Sequence, residues 1–458
     1  MKRVVQFICC LVLLLQLFTG CDREKPLPNV IFILADDLGY AELGSYGQKL
    51  IRTPNLDAMA RDGMRFTSVY SGSQVCAPCR SVLMTGQHTG HTRVRQNNGL
   101  VGGDRDEMTG GGHRIPLLDE DITVAEVLKE SGYVTGLTGK WGLGESGSSG
   151  EPNRQGFDEF FGFLNQNHAV FYYTDYLWRD GKRDSIPENR NGAEQVYVHD
   201  LFTDNAIDFI RRHREGPFFL YLAYTIPHFN IEVPDLEAYT RETDWPGSLK
   251  ILASMITRMD RDVGRILEEL ERLELEENTL VFFTSDNGPA YGKRVPGRDS
   301  LFNHSTPFKG AKGDLDEGGI RVPMIVRWPG KVPAGSVSDQ PWYFADVLPT
   351  LADVSGSSIP GNIDGISVFP LLKDENYMLP ERFMYWENPR RRLDQTVRYG
   401  KWNVRRTGGK DQPMALYNLE EDPGQEDDVS SAHPDIVAMF EAYLKNARTE
   451  SPYWPLEK

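Results

Sequence analysis

Cysteine is scarce and badly placed for cross-linking. The 458-residue chain has five, and three of them (Cys9, Cys10 and Cys21) fall in its first 21 residues. Only Cys76 and Cys79 lie beyond, which excludes the disulfide framework that staples many exported domains. Positive charge is also short: 50 Lys and Arg stand against 66 Asp and Glu, for a formal net charge of −16. A nucleic-acid binder should carry the opposite, basic footprint. An anionic small substrate stays admissible, because a local basic pocket coexists readily with an acidic surface. Long apolar runs are missing too. The stretch from Val4 to Phe18, behind Lys2-Arg3, is too short to span a bilayer comfortably and reads as the core of an export signal. The Gly-rich segments Gly102 to Gly112 and Gly142 to Gly150 lack the spacing of a nucleotide-phosphate loop and read as rim loops.

What is present is ordinary globular material, 40% hydrophobic and 25% charged, in a chain long enough for more than one domain. Apolar, β-branched runs predict buried strands at Asn29 to Leu34, Tyr133 to Leu137, Phe218 to Ala223, Thr279 to Thr284 and Val322 to Arg327. Helical patterns fall at Asn55 to Asp62, Arg80 to Met84, Thr123 to Lys129, His199 to Arg212, Leu249 to Leu275 and Ala345 to Val354. Strands alternating with helices predict an α/β fold, a mostly parallel sheet covered on both faces. Composition shifts near Asp374 to Pro380. Beyond it, short antiparallel strands are expected at Phe383 to Trp386, Gln395 to Tyr399, Trp402 to Arg406 and Met414 to Tyr417, with a closing helix from Ile436 to Ala447.

Ligands of such sheets bind beyond the carboxyl ends of strands. Asp36-Asp37, His228 and Asp286-Asn287 all follow predicted strands, which places them on one rim. The three carboxylates and the carboxamide offer hard oxygen ligands suited to Ca²⁺ or Mg²⁺, not Zn²⁺. None of the nine histidines adjoins these acids, which favours a single ion. Adjacent acids also serve as solvated turns or helix caps, so this pair alone does not decide the matter.

The eleven residues from Cys76 to Gly86 (CAPCRSVLMTG) match Cys-x-Pro-x-Arg-x-x-x-x-Thr-Gly. Around them, in order, stand Asp36-Asp37, Gly139-Lys140-Trp141, Pro227-His228, Asp286-Asn287-Gly288 and Lys312-Gly313. From about Pro28 to the C-terminus this array resembles the type I, formylglycine-dependent sulfatases of the alkaline phosphatase superfamily. The resemblance implies a large mixed, mostly parallel sheet sandwiched by helices, in a catalytic domain over 22–375, with a smaller C-terminal α+β domain over 376–458. It implies that a formylglycine-generating enzyme oxidises Cys76 to formylglycine, whose hydrate attacks sulfur. One Ca²⁺ (or Mg²⁺) would be held by Asp36, Asp37, residue 76, Asp286 and Asn287. Arg80 would support the residue-76 diol, Lys140 and Lys312 would stabilise charge on the ester, and His228 would protonate the leaving alcohol. The implied activity is sulfuric ester hydrolysis, with a sulfated sugar or glycan as partner.

One departure stands out. Many sulfatases read Gly-Lys-Trp-His-Leu-Gly, whereas this chain has Gly142 in place of the His. His88, His91, His168 and His304 are the candidate substitutes, and His168 and His304 the candidate substrate contacts. Asn165-Gln166-Asn167-His168 with Phe171-Tyr172-Tyr173, and the cluster Arg390-Arg391-Arg392 with Arg405-Arg406, are candidate subsites. Three alternatives remain at this level: a phosphonate or phosphate monoester hydrolase, a non-catalytic glycan-binding homologue, and a thiol-disulfide protein using Cys76 and Cys79. At the N-terminus, Leu17-Phe18-Thr19-Gly20-Cys21 reads as a lipobox or the end of a plain secretory signal. Lipidation of Cys21 would anchor the protein to a membrane without a spanning helix, as a periplasmic or cell-surface bacterial lipoprotein. Protein co-expressed with a formylglycine-generating enzyme should yield a residue-76 peptide whose mass matches an aldehyde in place of the thiol carbon. An unmodified Cys76 under those conditions removes this chemistry.

Overall fold

The runs Asn29–Ala35 (NVIFILA) and Thr279–Ser285 (TLVFFTS) are buried along their whole length and pair in parallel from Asn29↔Thr279 to Ala35↔Ser285. Strands without a solvent face need helices on both sides. The alternation is visible residue by residue. Val30, Phe32 and Leu34 join one core, with the helices Cys76–Thr85, Val124–Glu130 and Val347–Ser355. Ile31, Ile33 and Ala35 join the other, with Pro54–Arg61, Val198–His213 and Gly247–Arg272. The computed structural model describes residues 27–456 apart from 111, 291–294 and 391, so the expected export signal, Cys21 and Arg391 lie outside the described residues.

The main sheet runs Ser336–Ser338, Met64–Tyr70, Arg321–Arg327, Thr279–Ser285, Asn29–Ala35, Phe218–Ala223, Val134–Lys140, Glu159–Phe163, Tyr176–Arg179 and Lys182–Ser185, with Trp342–Tyr343 also on Met64–Tyr70. Its five central strands, from Thr279–Ser285 to Glu159–Phe163, are mutually parallel, and the flanking strands include antiparallel pairs. The sheet is therefore mixed and mostly parallel at its centre, as expected.

Several element ends differ from expectation for identifiable reasons. The helix predicted from Arg80 begins at Cys76, with Val75 as its extended N-cap residue. Pro78 sits in its first turn, where a backbone N–H has no helical acceptor to lose. The long helix stops at Arg272 rather than Leu275, because Glu274 adopts a left-handed φ of 58°. Thr123 and Glu126 form a reciprocal cap at the start of Val124–Glu130.

Met384–Asn388, Asp394–Tyr399, Trp402–Arg406 and Met414–Asn418 form a separate antiparallel sheet in sequence order. The helix Pro434–Leu444 packs on it through Phe440. Trp386 joins this sheet to the main body: its Nε1 donates to Ser71 O at 2.8 Å, and its ring meets Tyr70 and Tyr343 at 5.4 and 5.5 Å. Among the described residues, no helix is long and apolar enough to cross a membrane. Because Trp386 is fully buried, Trp386→Ala should lower stability by about 3–5 kcal/mol, read by urea unfolding.

Candidate active site

Four adjacent parallel strands deliver the site from their carboxyl ends. Asp36-Asp37 follow Ala35, Asp286-Asn287 follow Ser285, Lys140 ends its strand, and His228 lies five residues past Ala223. Backbone bonds tie these ends together. Asp36 N donates to Ile226 O (3.2 Å), Asp37 N to Asp286 Oδ1 (3.2 Å) and Leu38 N to Ser285 Oγ (3.0 Å). Asp37 takes a left-handed φ of 65°, which turns the chain at the strand end. Its carbonyl accepts from Arg298 Nη2 at 2.9 Å, and the same guanidinium pairs with Glu42 at 2.6 and 2.7 Å, both side chains fully buried.

Cys76 opens its helix, so it stands at the partially positive end. Its Sγ is 3.4 Å from Asp36 Oδ1 and accepts from Lys312 Nζ at 3.2 Å. Burial, with Asp286 and Asp36 beside it, pushes the thiol up to about 12. Cys79 is raised as well, mainly by burial, and both are free thiols. Both shifts disfavour the thiolate near neutral pH, which argues against a thiol nucleophile or a redox pair.

Cations surround the carboxylates. Lys140 Nζ lies 2.5 Å from Asp36 Oδ2, Lys312 Nζ 2.6 Å from Asp37 Oδ1 and Arg80 Nη2 2.9 Å from Asp286 Oδ2. Arg80 Nη1 also donates to Lys140 O at 2.6 Å. Burial opposes ionisation of Asp36, but Lys140, His228, Lys312 and Arg80 outweigh it and hold the carboxyl far below its usual range. Asp37 is lowered in the same way, chiefly by Lys312. Asp286 goes the other way, up to about 6, through burial and the adjacent Asp36. His228 is pushed down to about 4 by burial and then by Lys312. Its Nδ1 bonds Phe229 O, leaving Nε2, 3.6 Å from Asp37 Oδ2, as the nitrogen that exchanges its proton. Tyr172 OH anchors this loop, 2.9 Å from Thr225 O and 2.7 Å from His228 O.

Two buried oxygens, Asp37 Oδ2 and Asn287 Oδ1, have no hydrogen-bond partner. Asn287 Nδ2 donates to Asp37 Oδ1 at 2.7 Å, which fixes the carboxamide with its oxygen free. Donor atoms of Asp36, Asp37, Cys76 and His228 lie within 4.8 Å of one another. Unpartnered, acceptor-only oxygens among carboxylates fit a hard divalent cation.

A cavity of about 530 Å³ opens over Cys76, Lys140, His228 and Lys312, a size suited to a small ligand. Its far wall is rich in carboxamides, among them Asn97, Gln166, Asn167 and Asn388. Sequence reasoning missed Asn97, whose Oδ1 accepts from Ala77 N at 2.9 Å, and Asn388, contributed by the C-terminal sheet. It pointed at the segment of Gln166 through the wrong residue. His168 turns inward: Nε2 is 2.8 Å from Thr174 Oγ1, and its ring packs on Phe163 and Tyr176. His304 binds Asp299 and Ser305, while His88 and His91 stack on each other against Asp364. None of these four histidines lines the cavity, which corrects their reading as substrate contacts or substitutes for a residue at 142. Of the basic cluster, Arg390 does line it, whereas Arg405 pairs with Asp316 at 3.3 Å.

A sulfatase family model matches residues 28–357, and a second model, the C-terminal region of N-sulphoglucosamine sulphohydrolase, matches 312–450. The chain is 34% identical over 374 residues to N-acetylgalactosamine-6-sulfatase of Canis lupus familiaris, covering 77% of this chain and 67% of that one. It is 33% identical over 390 residues to arylsulfatase G of Rattus norvegicus, covering 77% and 70%. Among solved structures, Ps i-CgsB in complex with k-i-k-neocarrahexaose superposes with a TM-score of 0.80 at 29% identity, over 94% of this chain and 95% of that one. The phosphonate monoester hydrolase of Agrobacterium radiobacter shares the fold, with a TM-score of 0.66 at 20% identity over 92% and 95%. Fold and site thus define a hydrolase of the alkaline phosphatase-like α/β class that acts on sulfate esters. The chain belongs to the sulfatase family. Since Arg298 ties Asp37 to Glu42, Glu42→Ala should strand a buried guanidinium and cost about 3–5 kcal/mol in denaturant unfolding.

Proposed function

We propose that the protein removes sulfate from sulfated carbohydrates, with Cys76 matured to formylglycine and one Ca²⁺ held by Asp36, Asp37, residue 76, Asp286 and Asn287. The observation that carries this reading is the convergence of those residues with Arg80, Lys140, Lys312 and His228 beneath one cavity. The relatives named for N-acetylgalactosamine-6-sulfate chemistry, and the carrahexaose complex, support a sugar substrate. The carboxamide wall agrees, since such groups donate to and accept from hydroxyls without adding charge.

Each residue's part follows from its surroundings. Hydrated formylglycine would supply the hydroxyl nucleophile that a buried, protonated thiol cannot. Bound Ca²⁺ would supply Lewis-acid charge next to the ester. Lys140 and Lys312 present ammonium groups where negative charge develops. Arg80 keeps Asp286 and the Lys140 backbone in place. Burial and Lys312 disfavour the protonated form of His228, and a sulfate anion beside it would offset Lys312 and raise the affinity of Nε2 for the proton it passes to the leaving oxygen. Arg390 would meet a second acidic group on a larger glycan. The signal sequence and Cys21 support an exported, lipid-anchored location facing such glycans.

Matured protein should release sulfate from 4-nitrophenyl sulfate and from members of a sulfated mono- and disaccharide panel. Faster turnover of an aryl phosphonate would reassign it as a phosphonate hydrolase, and sugar binding without release would make it a binding protein. Chelation should abolish turnover and Ca²⁺ should restore it. Asn287→Ala should raise the Ca²⁺ concentration needed for half-maximal activity, measured by titration after chelation.

A further inference from the structure

Gln166 lies three residues beyond the strand Glu159–Phe163, on the same rim as Lys140. Backbone pairing continues past that strand: Trp141 N donates to Phe163 O (2.9 Å) and Gly142 N to Leu164 O (3.0 Å). This lays Gly142 alongside the segment that leads to Gln166. Gly142 has a φ of 84°, and a Cβ built on it would fall 1.9 Å from Gln166 Nε2. The Gln166 carboxamide therefore fills the space that any side chain at 142 would need. It is 7% exposed, it lines the cavity with Cys76, Lys140, His228 and Lys312, and its Nε2 has no hydrogen-bond partner. A buried amide donor without an acceptor is rare and unfavourable. The two ammonium groups of the site differ in this respect: Lys140 is committed to Asp36, and Lys312 to Asp37 and Cys76.

We propose that Gln166 is a substrate-binding residue whose Nε2 donates to a nonbridging oxygen of the sulfuryl group. The inference rests on the reading of this cavity as a sulfate-ester site, and it assigns the wall position that Gly142 leaves open. An amide N–H requires an acceptor, and the nonbridging oxygens of a sulfate ester offer nothing else. A neutral donor also adds a hydrogen bond without further positive charge. That suits the single charge of a sulfate ester better than the double charge of a phosphate monoester.

The test uses matured full-length protein, with inorganic sulfate binding followed by calorimetry and kcat/KM measured on 4-nitrophenyl sulfate. Gln166→Ala and Gln166→Glu should each weaken sulfate binding by roughly tenfold or more, with a matching loss in kcat/KM and no fall in melting temperature. Gly142→Ala should displace the carboxamide and reproduce that loss, and adding Gln166→Ala to it should cost nothing more. Sulfate binding and kcat/KM within about twofold of the unmutated protein in both Gln166 variants would overturn the proposal. Gln166-dependent sulfate binding without ester hydrolysis would sink the catalytic reading and leave this one standing. Hydrolysis indifferent to Gln166 would do the reverse.

Discussion

Three carboxylates, two ammonium groups and a guanidinium share one buried cluster, and every other feature of the site depends on their mutual compensation. Isolated, any of these charges would be too costly to bury. Asp36 is matched by Lys140, Asp37 by Lys312 and Asp286 by Arg80; strand ends hold Asp36, Asp37, Lys140 and Asp286, the helix Cys76–Thr85 carries Arg80, and a turn carries Lys312. Burial, with members of the same pairs beside them, raises the Cys76 thiol and lowers the His228 imidazole. One set of oxygens cannot satisfy an ammonium group and a metal ion equally well. Loading of a divalent ion there would therefore be linked to the freedom of Lys140 and Lys312 to meet a substrate.

The two sheets share the work unevenly. The parallel sheet supplies the charged floor of the cavity, through residues whose backbones are tied by hydrogen bonds. The C-terminal sheet adds Asn388 and Arg390 to the wall and is anchored through Trp386 and through Glu387, which pairs with Arg95 and Arg448. Specificity for what lies beyond the ester can thus vary in the smaller sheet while the floor stays unchanged.

Much of this was legible in the chain itself. Strands buried on both faces announce themselves as continuous apolar runs, and Phe218–Ala223 and Trp402–Arg406 fall where the sequence predicts them. Met64–Tyr70 was not legible, because Arg65, Thr67 and Ser68 interrupt its apolar residues, and Glu159–Phe163 is short and contains Gly162. The floor residues could be read because each follows a strand or sits in a dense motif. The wall could not. Gln166 and Asn97 are common polar residues in irregular backbone, and only tertiary packing brings them to the cavity. His168 misled for the converse reason: a histidine draws functional attention, yet this one spends its ring on Phe163 and Tyr176.

The burial of the helix Cys76–Thr85, none of whose residues is more than slightly exposed, imposes an order of events. An enzyme that must grip Cys76 and its neighbours cannot reach them once both cores have closed around the sheet. Under the proposed maturation, oxidation of residue 76 would have to precede folding, so each chain would face a race between modification and collapse. A chain that folded first would keep Cys76 as a buried thiol, and the active fraction of a preparation would then be set at synthesis rather than by later treatment.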